Sequence, residues 1–151
     1  MQTKTKYFGT LNYDEGRVVE FPAGLPGFEA ERRFLLLEDA ARKAVVFLQS
    51  LQDPQLCFLT LPALAVDPGY RLKIPADDLC ILDFAPGRQP AIGDEVDCLV
   101  ILSAIADGRL TANLLAPVVI RAANGRAVQA VRDDFVYGCR HPLERPSPSC
   151  S

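Results

Sequence analysis

The sequence predicts an all-β protein, a small antiparallel β-barrel-like roll with short helical turns. Three observations carry that expectation. Its apolar runs are of strand length, turn residues recur about every ten positions, and no stretch sustains a 3.6-residue apolar period. The 151 residues suit one domain, placed at residues 1–143, and a domain of about this size buries roughly 68–70% of the surface its unfolded chain exposes. Hydrophobic residues at 49% and charged residues at 23% match a soluble globular chain.

In chain order, residues 8–11 and 18–21 read as a hairpin whose turn, "NYDEG", ends on Gly16. "FPAGLPGF" sets two prolines and two glycines within eight residues, which stops any regular element and makes a fixed, turning loop. "FEAERR" suits a single helical turn, with Glu29 and Glu31 at its start and Arg32 and Arg33 at its end. Residues 34–38, 45–50 and 56–61 are three short apolar strands separated by "DAARK" and "QDPQ". Pro62, Pro68, Pro75, Pro86 and Pro90 then leave room for little more than a short helix or strand around residues 76–84. After Gly93, "VDCLVILSAI", "LTANLLAPVVIRA" and "RAVQAV" are joined by "ADGR" and "ANGR", the Asp-Gly and Asn-Gly signals of hairpins, and predict a three-stranded meander. In its first strand both alternating sets are apolar, so that strand is expected to be covered on both faces. Residues 144–151, within "HPLERPSPSCS", are expected to form a flexible tail.

Within the meander "TANLLAPVVI" poses a local problem, because it holds an amide, Asn113, and a residue without an N–H, Pro117. Pairing must lapse beside Pro117, at an edge or a bulge, and Asn113 can bond the backbone groups left free there. The alternative is that a partner chain uses the edge. The two readings separate on Asn113→Ala. A tie to backbone predicts a stability loss of about 1–3 kcal/mol, whereas an interface predicts weaker partner binding with unchanged melting.

Composition narrows the function. No uncharged apolar run approaches the roughly 18 residues of a membrane span, and no apolar stretch follows the basic residues of "MQTKTKYFGT", so a cytoplasmic protein without membrane association is expected. A net charge of −3 argues against direct nucleic-acid binding. The acids cluster at Asp77 and Asp78, at Asp94, Glu95 and Asp97, and at Asp133 and Asp134, giving local negative potential or simply a solvated surface. Five scattered cysteines with no C-x-x-C spacing suggest no metal, and Cys57, Cys80 and Cys98 sit among apolar residues as small hydrophobes. Cys139 and His141, in "YGCRHPL", are the one pair from which a thiol nucleophile and its base can be written, and nothing upstream supplies an oxyanion turn. With no phosphate loop either, no cofactor, metal or small-molecule substrate is expected. A β-barrel holding a small apolar ligand is the other alternative.

"FPAGLPGFE", "FLQSLQDPQLCF" and "TANLLAPVVI" followed by "NGRAVQ" occur in an order and spacing that resembles the flagellar assembly factor FliW family, and "YGCRHPL" is similar to the family's ending. The resemblance runs from about Lys4 to Leu143. It implies a cytoplasmic β-barrel-like protein, non-enzymatic and chaperone-like. It also implies two partners, flagellin and the RNA-binding translational regulator CsrA, whose repression of flagellin mRNA such proteins relieve. Phe21, Gly27, Phe28, Gln49, Asn113 and Pro117 match the family motifs and are the candidate partner-binding residues. Each also has a folding reading, Gly27 in a turn and Phe28 in the core. Arg121 departs from the family pattern, as does "PSPSCS".

Overall fold

Alternation along the strands decides the architecture in the computed structural model, which describes residues 1–42 and 44–143; the expected tail lies outside the described residues. The chain opens with β1 (Gln2–Thr5) and β2 (Gly9–Asn12), paired antiparallel from Gln2↔Asn12 to Thr5↔Gly9. Thr5 closes the turn: its hydroxyl donates to the Gly9 carbonyl and accepts the Phe8 N–H, both at 2.9 Å. The predicted hairpin is therefore displaced. Residues 9–12 fold back on 2–5 rather than forward on 18–21, and Glu15–Arg17 form a single 3₁₀ turn. The hairpin lies outside the main sheet, with Phe8 edge-on to Phe47 at 5.1 Å.

Seven strands close into a barrel: β3 (Val18–Glu20), β4 (Arg33–Glu38), β5 (Val46–Ser50), β6 (Cys57–Pro62), β7 (Asp97–Ala104), and, beyond β8 (Leu110–Ala112), β9 (Val118–Arg121) and β10 (Arg126–Gln129). Neighbours pair antiparallel except β3 and β10, which meet in parallel at Arg126↔Glu20. Inward side chains fill the interior: Val19, Phe34, Leu48, Leu99, Val118, Ile120 and Ala127 form one cluster, with Phe21 and Leu25 folded in from the loop after β3. Such filling is the rule for small barrels, whose interior is about the width of the side chains it must hold. A small apolar ligand would have to compete with these side chains for the interior.

The opposite face of β7 is also covered. Cys98 and Val100 pack with Val119 and Val128 beneath the proline-punctuated segment, which contributes Ala63, Tyr70, Ile74, Leu79, Leu82 and Phe84. That segment holds two short helices, α1 (Ala63–Val66) and α2 (Ala76–Ile81). The expected short element near residue 76 is thus helical, whereas α1 gave no sequence signal, being four residues entered from Pro62. Arg121 fastens this cover. Its Nη1 donates to the carbonyls of Leu82 at 3.0 Å and Asp83 at 2.7 Å, and its guanidinium lies 4.0 Å from the Phe84 ring centroid. Groups at the end of a helix that lack intrahelical partners are bound well by such a cation.

Two further expectations are corrected. "FEAERR" forms turns with no helix, because the N–H groups of Arg32 and Arg33 both go to Gln52 Oε1, at 2.6 and 3.3 Å, instead of to a helical ladder. The middle strand of the meander is two strands. β8 pairs with the end of β7, Leu102↔Ala112, and β9 with its beginning, Leu99↔Val118. Three steps along β7 thus face six along the other chain, and the surplus is the bulge at residues 113–117. β11 (His141–Pro142) completes the sheet by pairing with β8.

Candidate functional site

The barrel has two mouths. One is a cavity of about 550 Å³ between the "FPAGLPGF" loop, the ends of β7 and β10, the bulge and the segment before β11. Leu25, Phe28, Phe58 and Ile101 supply an apolar wall, while Asn113, Gln129, Cys139 and Arg140 stand along its polar side. The opposite mouth, about 860 Å³, mixes Leu36, Leu64 and Leu99 with Arg17, Glu38 and Asp97.

Three of the six candidate residues are interior. Phe21 is wholly buried and meets the Phe34 ring edge-on at 5.3 Å. Pro117 is buried in the bulge. Gln49 is also wholly buried, and its amide nitrogen donates to the carbonyls of Ser50 at 3.0 Å and Leu56 at 3.2 Å, which fixes the turn between β5 and β6. In this conformation these three offer a partner no surface; their places in the motifs follow from folding. Gln49 Oε1 has no partner among the described residues, so Gln49→Leu removes an orphaned acceptor but also the donor that holds the Ser50 and Leu56 carbonyls, and is expected to destabilise by about 1–3 kcal/mol. Gln49→Glu, which buries a charge, is expected to cost several times more. Urea titration of both variants checks the ordering.

Gly27, Phe28 and Asn113 lie at the first mouth or beside it. Gly27 makes a turn, with φ of +83° and its N–H donating to Glu29 Oε2 at 2.8 Å. Phe28 is not in the core as expected: it is 43% exposed, on the rim, with one edge against Phe58 at 5.6 Å. The reason is Gly24 and Gly27, which turn the chain outward before the ring can reach the interior. Asn113 ties the bulge, its Oδ1 accepting the Ala116 N–H at 3.0 Å, as the backbone reading requires. Asn113→Ala is therefore expected to lower stability by about 1 kcal/mol in thermal or urea unfolding.

No sequence signal marks Gln129 or Arg140 as mouth residues, since only the closure of β10 and the return of the chain before β11 bring them there. Cys139 lines this mouth and His141 lies in β11; among the described residues no hydrogen bond joins them, and no group of three metal-binding side chains forms. Burial pushes the Cys98 thiol up to about 12 and that of Cys57 up to about 11, consistent with apolar roles. Cys80 is corrected, being exposed. Native labelling with a maleimide is expected to modify Cys80 and Cys139 quickly and to reach Cys98 only on unfolding.

The acidic clusters are only partly free. Glu95 pairs with Arg88 at 2.6 Å, Asp133 with Lys73 at 3.2 Å, and Asp134 with the buried Arg132 at 2.9 Å. Arg132 holds the Asp134 carboxyl below its ordinary range, a contribution that is complete above that range and lost as pH falls through the depressed value. Asp134→Asn is expected to flatten the acid limb of a melting-temperature profile against pH. No helix among the described residues is long and apolar enough to cross a membrane.

Known proteins share this architecture. A family model described as FliW protein matches residues 2–143. The flagellar assembly factor FliW of Syntrophomonas wolfei is 32% identical over 97% of this chain and 91% of its own length. That of Heliobacterium modesticaldum is 33% identical over 99% of this chain and 94% of its own, and that of Bacillus subtilis is 30% identical over 92% and 94%. A crystal structure of the flagellar assembly factor FliW superposes with a TM-score of 0.80 at 29% identity, covering 96% of this chain and 98% of that one. With its seven-stranded barrel, its bulge at Asn113 and its match over nearly the full length, the chain belongs to the FliW family of flagellar assembly factors.

Proposed function

We propose that the protein acts in the cytoplasm by reversible association alone, binding flagellin and the translational regulator CsrA in turn. While flagellin occupies it, CsrA is free to repress flagellin mRNA; once flagellin is exported, the protein captures CsrA and translation resumes. Family membership across residues 2–143 carries the reading. A filled barrel with a half-apolar mouth suits docking better than substrate turnover.

Negative charge adds to the antagonism, since a body of net charge −3 seated on an RNA-binding protein repels phosphate. Because Glu95, Asp133 and Asp134 are already paired with cations, most of the effect is assigned to occlusion or distortion of the RNA site. The test is a gel-shift titration in which the purified protein is added to CsrA bound to flagellin leader RNA. Release of RNA at a fixed salt concentration is expected. RNA that stays bound at saturating protein removes the antagonist role. The Cys139 and His141 enzyme makes the opposite demand, a thiol titrating below its ordinary range, and Cys139 labelling measured against pH decides it.

A further inference from the structure

The first mouth carries hydrogen-bonding groups without a protein partner among the described residues as well as apolar surface. Asn113 and Gln129 are clamped on the same residue from opposite sides: Asn113 Oδ1 accepts the Ala116 N–H at 3.0 Å, and Gln129 Nε2 donates to the Ala116 carbonyl at 3.1 Å. These bonds leave no freedom to exchange the amide ends, because each needs the atom it uses. What remains is a donor, Asn113 Nδ2, and an acceptor, Gln129 Oε1, neither with a partner among the described residues, in the lining of one cavity. One donor and one acceptor are what a peptide unit complements.

The remaining chemistry points the same way. Leu25, Phe28, Phe58 and Ile101 offer an apolar wall to a side chain, with Phe28 exposed at the rim. Among the described residues lining the cavity Arg140 is the one that is charged, in a protein whose net charge is −3. It takes part in no salt bridge with the described residues. An exposed cation beside an apolar wall favours a carboxylate next to an apolar group.

We infer that this mouth receives a polypeptide segment of a partner protein: a peptide unit on Asn113 and Gln129, an apolar side chain against Phe28 and Phe58, and an acidic group on Arg140. The inference rests on the reading that the protein acts by docking to other polypeptides, and it deepens that reading by assigning the surface. The bulge gains a second role. Its three surplus residues break the register of the strand at Asn113, which lines the mouth and is held there by its bond to Ala116.

The test titrates purified flagellin and purified CsrA separately against the full-length protein, using calorimetry. Arg140→Glu changes an exposed side chain without hydrogen bonds to the described residues, so folding is expected to survive, and binding of one of the two partners is expected to weaken about tenfold or more. Phe28→Ser is expected to weaken the same partner by a similar factor. Maleimide on Cys139, compared with a Cys139→Ser protein labelled only at its other thiols, is expected to block that partner and spare the other. Both partners bound with unchanged affinity by Arg140→Glu and by the Cys139-labelled protein would overturn the assignment of the mouth while leaving the proposed function intact. If the unmodified protein binds neither partner, the proposed function falls and the inference with it. A dimer of the unmodified protein that Arg140→Glu dissociates, with partner binding unchanged, would give the mouth to a second copy of the chain and overturn the inference as well.

Discussion

Gly24→Ala is expected to destabilise the protein by about 4 kcal/mol or more, among the largest effects that a single methyl group produces. Gly24 has φ of +70°, and a Cβ placed there would lie 2.6 Å from the Glu29 Cα, against backbone that has no flexible end to move away. The left-handed conformation alone disfavours alanine by about 1–2 kcal/mol; the clash adds the larger part, because relieving it means separating residues 24 and 29. That contact folds the "FPAGLPGF" loop over the barrel end, as Leu25 and Phe28 exchange backbone hydrogen bonds across it at 3.4 and 2.7 Å. Urea unfolding monitored by circular dichroism measures the loss. A change below about 1 kcal/mol would mean that the loop relaxes freely, and its role as a fixed rim would have to be given up.

Phe21→Ala is expected to cost about 3–5 kcal/mol, the range for removing a large aromatic side chain from a core that cannot collapse around the gap. Phe21 caps the barrel interior, wholly buried among Val19, Phe34, Leu48 and Val118. A domain with about 5–15 kcal/mol in total would lose a large share of its stability. Phe28→Ala is the contrast: its ring is partly exposed and makes one edge contact with Phe58, worth about 0.5–1.5 kcal/mol. Equal losses for the two variants, measured in the same urea titration, would contradict the placement of Phe28 on the rim.

These two phenylalanines show where sequence reading ends. They stand seven residues apart in one motif and invite the same interpretation, yet one closes the core and the other edges the mouth. Their difference comes from the positive φ angles at Gly24 and Gly27. Arg121 shows the same limit: as a departure from the family pattern it was a puzzle, and only the packing of the segment from α1 to Phe84 explains it, by bringing the Leu82 and Asp83 carbonyls within reach. The displaced first hairpin has a similar cause. Residues 9–12 are compatible with pairing on either side, and Thr5, through two hydrogen bonds that spacing does not advertise, decides for the earlier partner.

What the sequence determined by itself was local. Alternating and doubly apolar runs fixed β4 to β7 nearly to the residue, the Asp-Gly and Asn-Gly turns fixed the hairpins on either side of the bulge, and Pro117 with Asn113 marked the break in pairing. Each of these follows from interactions within a few residues, where the period of a strand and the missing N–H of proline leave little choice. Tertiary structure alone decided the closure of β7 on β9, the helical cover over the outer face, and the meeting of Phe28, Asn113, Gln129 and Arg140 at one mouth. Those groups are drawn from four separate stretches of the chain, and their convergence depends on the tilt and register of a closed sheet, which no single stretch encodes.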